Sequence, residues 1–310
     1  MCGIAGIIHR DGGAPHQVGR DLTRMLQAMK HRGPDSTGYA VYRGGGDSYV
    51  MHVKLSEPSE RDANLAQRTQ RQRDQVEARL RASGAQIEGV EGTPRTMTIT
   101  FSLDDGDLKH LTDAVERVRH TEVLSLGRSL EIFKDVGDAE TVSKQYGLGQ
   151  FVGTHAIGHA RMATESDVDI ANAHPYWAYP FPDVAVVHNG QLTNFHDWRR
   201  RLQRMGHRFQ SECDSEIIAV YLAEQMNRGR SLEDAMRQSL EDLDGVFTYI
   251  CVTEDALGVA KDELGAKPLV LYEDDDLVAL ASEEIAIRQV LDREIETHDP
   301  YEGEVRVWTR

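Results

Sequence analysis

The residue with the most to offer chemically stands second in the chain. Cys2 follows Met1 and precedes Gly3, and a small side chain there normally permits removal of the initiator methionine. The exposed α-amino group, titrating at about 7.7–8.0, would be partly unprotonated at neutral pH and would sit on the same residue as the thiol it could deprotonate. Nucleophile and base would form one unit. The competing reading is a small apolar residue opening a buried strand. Cys213 and Cys251 complete a set of three cysteines, too few and too widely spaced for a disulfide framework or a zinc site. His155, His159, His174 and His188 have spacings that suit no common metal cluster. They are expected to be structural, and no metal is assigned. Taken alone, Asn189-Gly190 and Arg32-Gly33-Pro34-Asp35 are turn signals.

The elements that must position these residues can be read from periodicity. The apolar run Cys2 to Ile8 reads as a strand, and Leu22, Met25, Leu26 and Met29 recur at helical spacing within Val18 to Met29. A turn at His31 to Asp35 precedes a strand at Gly38 to Tyr42, and Gly44-Gly45-Gly46 suggests a hairpin there. From Glu60 to Ser83 the chain is crowded with Arg, Gln and Glu, as expected of an exposed helix with a solvated face. A strand at Thr96 to Phe101, a helix at Leu108 to Val118 and a mixed segment from Val123 to Lys144 follow. Residues 57–150 are therefore expected to form a packed α+β subdomain inserted between 1–56 and 151–310. Strands resume at Ala156 to Ala160 and Val184 to His188, with helices at Phe195 to Met205, Ser215 to Met226 and Leu232 to Leu243. Further strands are expected at Phe247 to Thr253, Ala256 to Lys261, Pro268 to Glu273 and Leu277 to Ser282. Hairpin-paired strands with grouped helices favour an α+β fold over a doubly wound parallel sheet.

Composition narrows the function further. The 310 residues hold 35 Lys+Arg against 51 Asp+Glu, a formal charge of −16 that repels polyanions and argues against nucleic acid. The 40% hydrophobic fraction is enough for a sizeable core. No stretch approaches the roughly 18 apolar residues of a membrane span, and the N-terminus lacks a secretory pattern, so a cytoplasmic protein is expected.

Five segments in order resemble one family. Met1-Cys2-Gly3-Ile4-Ala5-Gly6, His31-Arg32-Gly33-Pro34-Asp35-Ser36, Gly158-His159-Ala160-Arg161-Met162-Ala163-Thr164, His188-Asn189-Gly190 and Glu212-Cys213-Asp214-Ser215-Glu216 are similar to the motifs of class II glutamine amidotransferases. Lys261 to Leu269 and Ala281-Ser282-Glu283 resemble the back half of the same domain, so the likeness covers about 2–56 and 151–290. It implies an N-terminal-nucleophile hydrolase, an αββα sandwich, with glutaminase activity at Cys2.

The resemblance implies roles that the residue types suit. Asn189 offers a side-chain N–H and Gly190 an unobstructed backbone N–H for the oxyanion that forms as the glutamine amide is attacked. The planar fork of Arg161 suits the α-carboxylate, with Thr164 adding a contact, and Asp214 suits the α-ammonium. Arg32 and Gly33 resemble the turn that lies against the nucleophile. Arg161 as a surface strand residue, Asp214 as a helix N-cap and Arg32 as a turn residue remain alternatives. Glu165 and Met162 depart from the residues many members carry there, which bears on how the site closes.

About twenty residues follow the last matching segment, too few for a synthase domain. The resemblance to stand-alone glutamate-synthase-like subunits, including the small subunit of N-methylglutamate synthase, implies a separate synthase partner that receives ammonia. That partner would carry flavin and iron–sulfur groups, with no cofactor in this chain. A stand-alone amidohydrolase of another γ-glutamyl amide and a catalytically silent scaffold subunit are the other classes open.

Overall fold

The computed structural model describes residues 2–12, 15–104, 106–162 and 169–310. The first half contains β1 (Gly3–His9), α1 (Val18–Ala28), β2 (Ser36–Tyr42), β3 (Tyr49–Lys54), α2 (Leu65–Ala82), β4 (Gln86–Thr93), β5 (Thr96–Ser102) and α3 (Leu108–Glu116). Next come β6 (Glu122–Gly127), β7 (Leu130–Val136), α4 (Ala139–Tyr146), β8 (His155–Arg161), β9 (Tyr176–Trp177), β10 (Ala185–Leu192), α5 (Phe195–Arg204) and α6 (Asp214–Asn227). The chain ends with α7 (Leu232–Asp242), β11 (Gly245–Val252), β12 (Ala256–Lys261), β13 (Val270–Glu273), β14 (Leu277–Ala281), α8 (Glu284–Ile287) and β15 (Val305–Thr309).

Three sheets result: β13-β14-β1-β8-β2-β7, β15-β12-β11-β10-β9, and β4-β5-β3-β6. Their strand pairs are antiparallel. Alternation along the strands builds the layers, because successive side chains point to opposite faces. On β1, Ile4 and Ile8 join Ala185, Val187, Ile250 and Val252 of the second sheet in one core. Ala5 and Ile7 face the other way, against Leu22, Met25 and Leu26 of α1. On β10, Val186 packs instead with Ile217, Ile218 and Leu222 of α6. The order helix, sheet, sheet, helix is thus written into residue parity.

The four-stranded sheet is built on the same rule. Met97, Ile99 and Phe101 of β5 bury with Val76 and Leu80 of α2 and Leu111 and Val115 of α3, and this core is continuous with the sandwich interior. The subdomain is therefore packed on the body of the protein.

Two expectations change. The hairpin at Gly44-Gly45-Gly46 does not form: β2 pairs with β7 and β8, whereas β3 pairs with β5 and β6. The glycines pass the chain from one sheet to another. The boundaries 57–150 also shift, since β3 already belongs to the four-stranded sheet, and β7 lies along β2 from Ser36↔Val136 to Tyr42↔Leu130. Residues 49–127 carry the separate sheet, while β7 returns to the main sheet as its edge strand beside β2. Among the described residues, no helix is long and apolar enough to cross a membrane.

Candidate active site

β1 brings Cys2 to one end of the six-stranded sheet. Its register with β8 runs Ile4↔His159 and Gly3↔Ala160, so one further step sets Cys2 beside Arg161. Cys2 is half-buried, and its Sγ lies 4.0 Å from the Met162 carbonyl oxygen. Ser282 secures the strand just behind it: its Oγ accepts the Ile4 N–H at 3.0 Å and its own N–H donates to the Ile4 carbonyl at 2.9 Å.

The turn carrying Arg32 clamps this end. Gly33 is needed because a Cβ there would lie 2.4 Å from the Arg161 carbonyl carbon and 2.5 Å from the Ala160 oxygen. The close approach lets Arg32 Nε donate to the Cys2 carbonyl oxygen at 3.1 Å, while Nη1 donates to Glu283 Oε1 at 2.6 Å. Burial alone would raise the Glu283 carboxyl, but hydrogen bonds from Arg32 and His31 outweigh it and hold it below its ordinary range. Arg32 is therefore a buried fastener of the Cys2 backbone rather than a solvent-facing turn residue.

Asn189 and Gly190 lie within β10 rather than in a turn, paired with Thr248 and Phe247. Asn189 Nδ2 points at the Cys2 carbonyl oxygen, 3.4 Å away. Gly190 has φ +150°, and a Cβ would meet the Val246 oxygen at 2.2 Å. Only glycine sustains that conformation at that closeness.

Arg161 ends β8 and is 7% exposed, which removes the surface-strand reading. Asp214 opens α6, yet its Oδ2 accepts the Leu192 N–H at 2.7 Å and the cap position belongs to Cys213. The N-cap reading of Asp214 is thereby replaced by a carboxylate held between α6 and β10. Thr164 and Glu165 fall outside the described residues.

A cavity of about 700 Å³ is shared by Cys2, Arg161, Asn189, Gly190 and Asp214. Lys267 also lines it, a position whose part the Lys261 to Leu269 likeness did not single out. Glu283 was equally missed, because its partner Arg32 is 251 residues away in sequence. Among the described residues, no group of His, Cys, Asp and Glu is placed to hold a metal ion.

His159, His174 and His188 line the same cavity. The rings of His159 and His174 stack at 4.1 Å, and His188 Nδ1 is 2.7 Å from Ser215 Oγ. Burial pushes His159 down to about 3, with the neighbouring His188 and Arg161 adding to it, and sends His174 well below its ordinary value. His188 is lowered as well, again by burial, although Asp214 opposes the shift. All three are neutral at neutral pH.

These depressed values fix the sign of an acid effect. The unfolded chain takes up protons below about pH 6.5 while the folded imidazoles do not, so stability falls as pH drops toward the folded values. At pH 5 the His159 imidazole is expected to cost up to about 2 kcal/mol, and His174 and His188 act in the same direction. Urea unfolding at neutral and mildly acid pH measures this, and an unchanged midpoint would contradict a neutral stack.

Comparison with known proteins follows the same lines. A family model described as "Glutamine amidotransferase domain" matches residues 159–289. A protein of Methanothermobacter thermautotrophicus described as a glutamine amidotransferase is 41% identical, over 99% of this chain and 99% of its own length. The glutamine amidotransferase-like protein GlxB of Rhizobium meliloti is 35% identical, over 95% of this chain and 93% of its own. The glutamine phosphoribosylpyrophosphate amidotransferase from B. subtilis, in complex with ADP and GMP, shares the fold with a TM-score of 0.61 at 19% identity. That match covers 99% of this chain and 47% of the B. subtilis chain. With sequence likeness along nearly its whole length and the sandwich shared with a solved amidotransferase, the chain belongs to the class II glutamine amidotransferases.

Proposed function

We propose that the chain hydrolyses L-glutamine to glutamate and ammonia through a γ-glutamyl thioester on Cys2, and that the ammonia passes to a separate, glutamate-synthase-like synthase subunit. The observation that carries this reading is the common cavity of Cys2, Arg161, Asn189, Gly190 and Asp214. Once the residue before Cys2 is removed, its α-amino nitrogen takes the thiol proton and Sγ attacks the side-chain amide carbon of glutamine. The oxyanion accepts hydrogen bonds from Asn189 Nδ2 and the Gly190 N–H. As the C–N bond breaks, the proton on the α-ammonium of Cys2 goes to the leaving nitrogen, which departs as ammonia. Water then attacks the thioester, releasing glutamate and restoring the thiol. Arg161 and Asp214 grip the opposite charges at the far end of glutamine, which orients the amide toward sulfur. Arg32 serves the chemistry by holding the Cys2 backbone still.

The reading of a separate synthase rests on the resemblance of the motifs to those of stand-alone glutamate-synthase-like subunits. The test is glutamate release by the purified chain, alone and with whatever polypeptide co-purifies with it, alongside intact mass for loss of Met1. Stimulation by a partner supports the subunit reading. Constitutive turnover of a different γ-glutamyl amide would replace it with a free-standing hydrolase, and no turnover in either state would favour a scaffold.

The subdomain is proposed to bear on glutamine use. Glu57 is paired with Lys54, and its Oε2 accepts the Ile170 N–H at 3.3 Å, which ties the subdomain to the chain just before β9. Glu57→Gln is expected to raise KM for glutamine severalfold with a smaller change in kcat. Unchanged kinetics would disconnect the subdomain from the site.

A further inference from the structure

A second cavity, of about 870 Å³, lies between the four-stranded sheet and the β7–α4 side of the sandwich, and shares no lining residue with the cavity at Cys2. Its size is that of small-molecule sites. Parity explains its floor. Met97, Ile99 and Phe101 turn toward the helices, which leaves Thr96, Thr98 and Thr100 on the opposite face of β5, lining the cavity. The Thr98 hydroxyl is 3.4 Å from His52 Nδ1. The facing wall is aromatic: Phe133 lies 5.5 Å from Tyr146 and 6.4 Å from Phe151 between ring centroids, and all three line the space.

Charge decides what such a site can hold. Three basic side chains line it, Arg43, His52 and Lys134, and each already has a partner. Arg43 and His52 occupy the two oxygens of the buried Glu131 carboxylate, the latter at 2.9 Å. Lys134 Nζ donates to the Ala173 carbonyl at 2.9 Å. The positive charges of Arg43 and Lys134 are matched by Glu91 and Glu131, which line the same cavity, so an anion gains little from the local field. What remains is a row of hydroxyls opposite a set of rings, which complements an uncharged ring with hydroxyls at its edge and C–H bonds on its faces.

The geometry points to a binding site for a neutral monosaccharide, its hydroxyls on Thr98 and Thr100 and its C–H face on Phe133 and Tyr146. This site is independent of the chemistry at Cys2. Saturation-transfer NMR on the full chain tests it, with glucose, galactose, mannose, ribose and N-acetylglucosamine as separate probes at millimolar concentration. At least one sugar is expected to show transfer to its ring protons. The Thr98→Val/Thr100→Val double variant keeps the branched strand-forming shape and is expected to weaken binding about tenfold. Phe133→Leu is expected to do the same, and decides the question if the threonine variant fails to fold. Cys2→Ala should bind the sugar as the parent does, even if glutaminase activity is lost or was never present. No transfer from any of the five sugars, binding that survives both cavity variants, or binding lost in Cys2→Ala would each overturn the proposal. Titration with inorganic phosphate, followed by phosphorus NMR, should show no binding that these variants abolish; such binding would replace the neutral ligand with an anion.

Discussion

Cys2→Ala is expected to lower glutamine hydrolysis by at least about 10³-fold, equivalent to about 4 kcal/mol of transition-state stabilisation, while the protein remains folded. Activity and stability separate at this residue. Arg32 and Asn189 both donate to the Cys2 carbonyl oxygen, a backbone atom that alanine retains. Among the described residues the sulfur itself makes only the long 4.0 Å approach to the Met162 oxygen, so its removal should cost less than about 1 kcal/mol of stability. Steady-state glutamate release and thermal unfolding, measured on one preparation, check both halves. A variant with unimpaired hydrolysis would sink the thioester mechanism, whatever its stability.

Arg161→Lys is the second large effect. The substitution keeps the charge and loses the planar fork, and at a buried position the ammonium cannot recover the geometry through solvent. A fall of about 10²-fold in kcat/KM for glutamine is expected, expressed mainly in KM. Asp214→Asn is expected to raise KM about tenfold with less change in kcat, because an amide oxygen can still accept the Leu192 N–H but no longer attracts an ammonium. If both variants kept near-normal kcat/KM, the zwitterion clamp would be wrong and the two side chains would be fasteners of the β8 end and the α6 start.

The sandwich is legible along the chain where one face of an element is buried. Along α1 and its C-cap, Leu22, Met25, Leu26 and Met29 recur at helical spacing and all four are buried. The strand at the N-terminus and the helix at Asp214–Asn227 are legible for another reason, as nearly continuous apolar runs buried on every side. Legibility fails where local pattern carries no information about pairing. Gly44-Gly45-Gly46 reads as the tip of a hairpin, but which strand accepts β3 depends on the apolar face of Met51 and Val53, which packs with β5 and two helices. β4, whose residues are mostly half-buried or exposed, shows too little alternation to announce itself.

The site divides in the same way. Residue type and spacing along the chain determined that a cysteine at position 2, an Asn-Gly pair, an arginine and an aspartate were available, because each of those properties belongs to one or two adjacent residues. Tertiary structure alone decided that they meet. Cys2 and Asn189 are 187 residues apart, and Arg32 reaches Glu283 across 251. Such contacts follow from strand register and layer order, which are set by burying whole faces of β1, β8 and β10 at once. The neutrality of His159, His174 and His188 was equally beyond reach of the sequence, since it depends on how much water the assembled layers exclude.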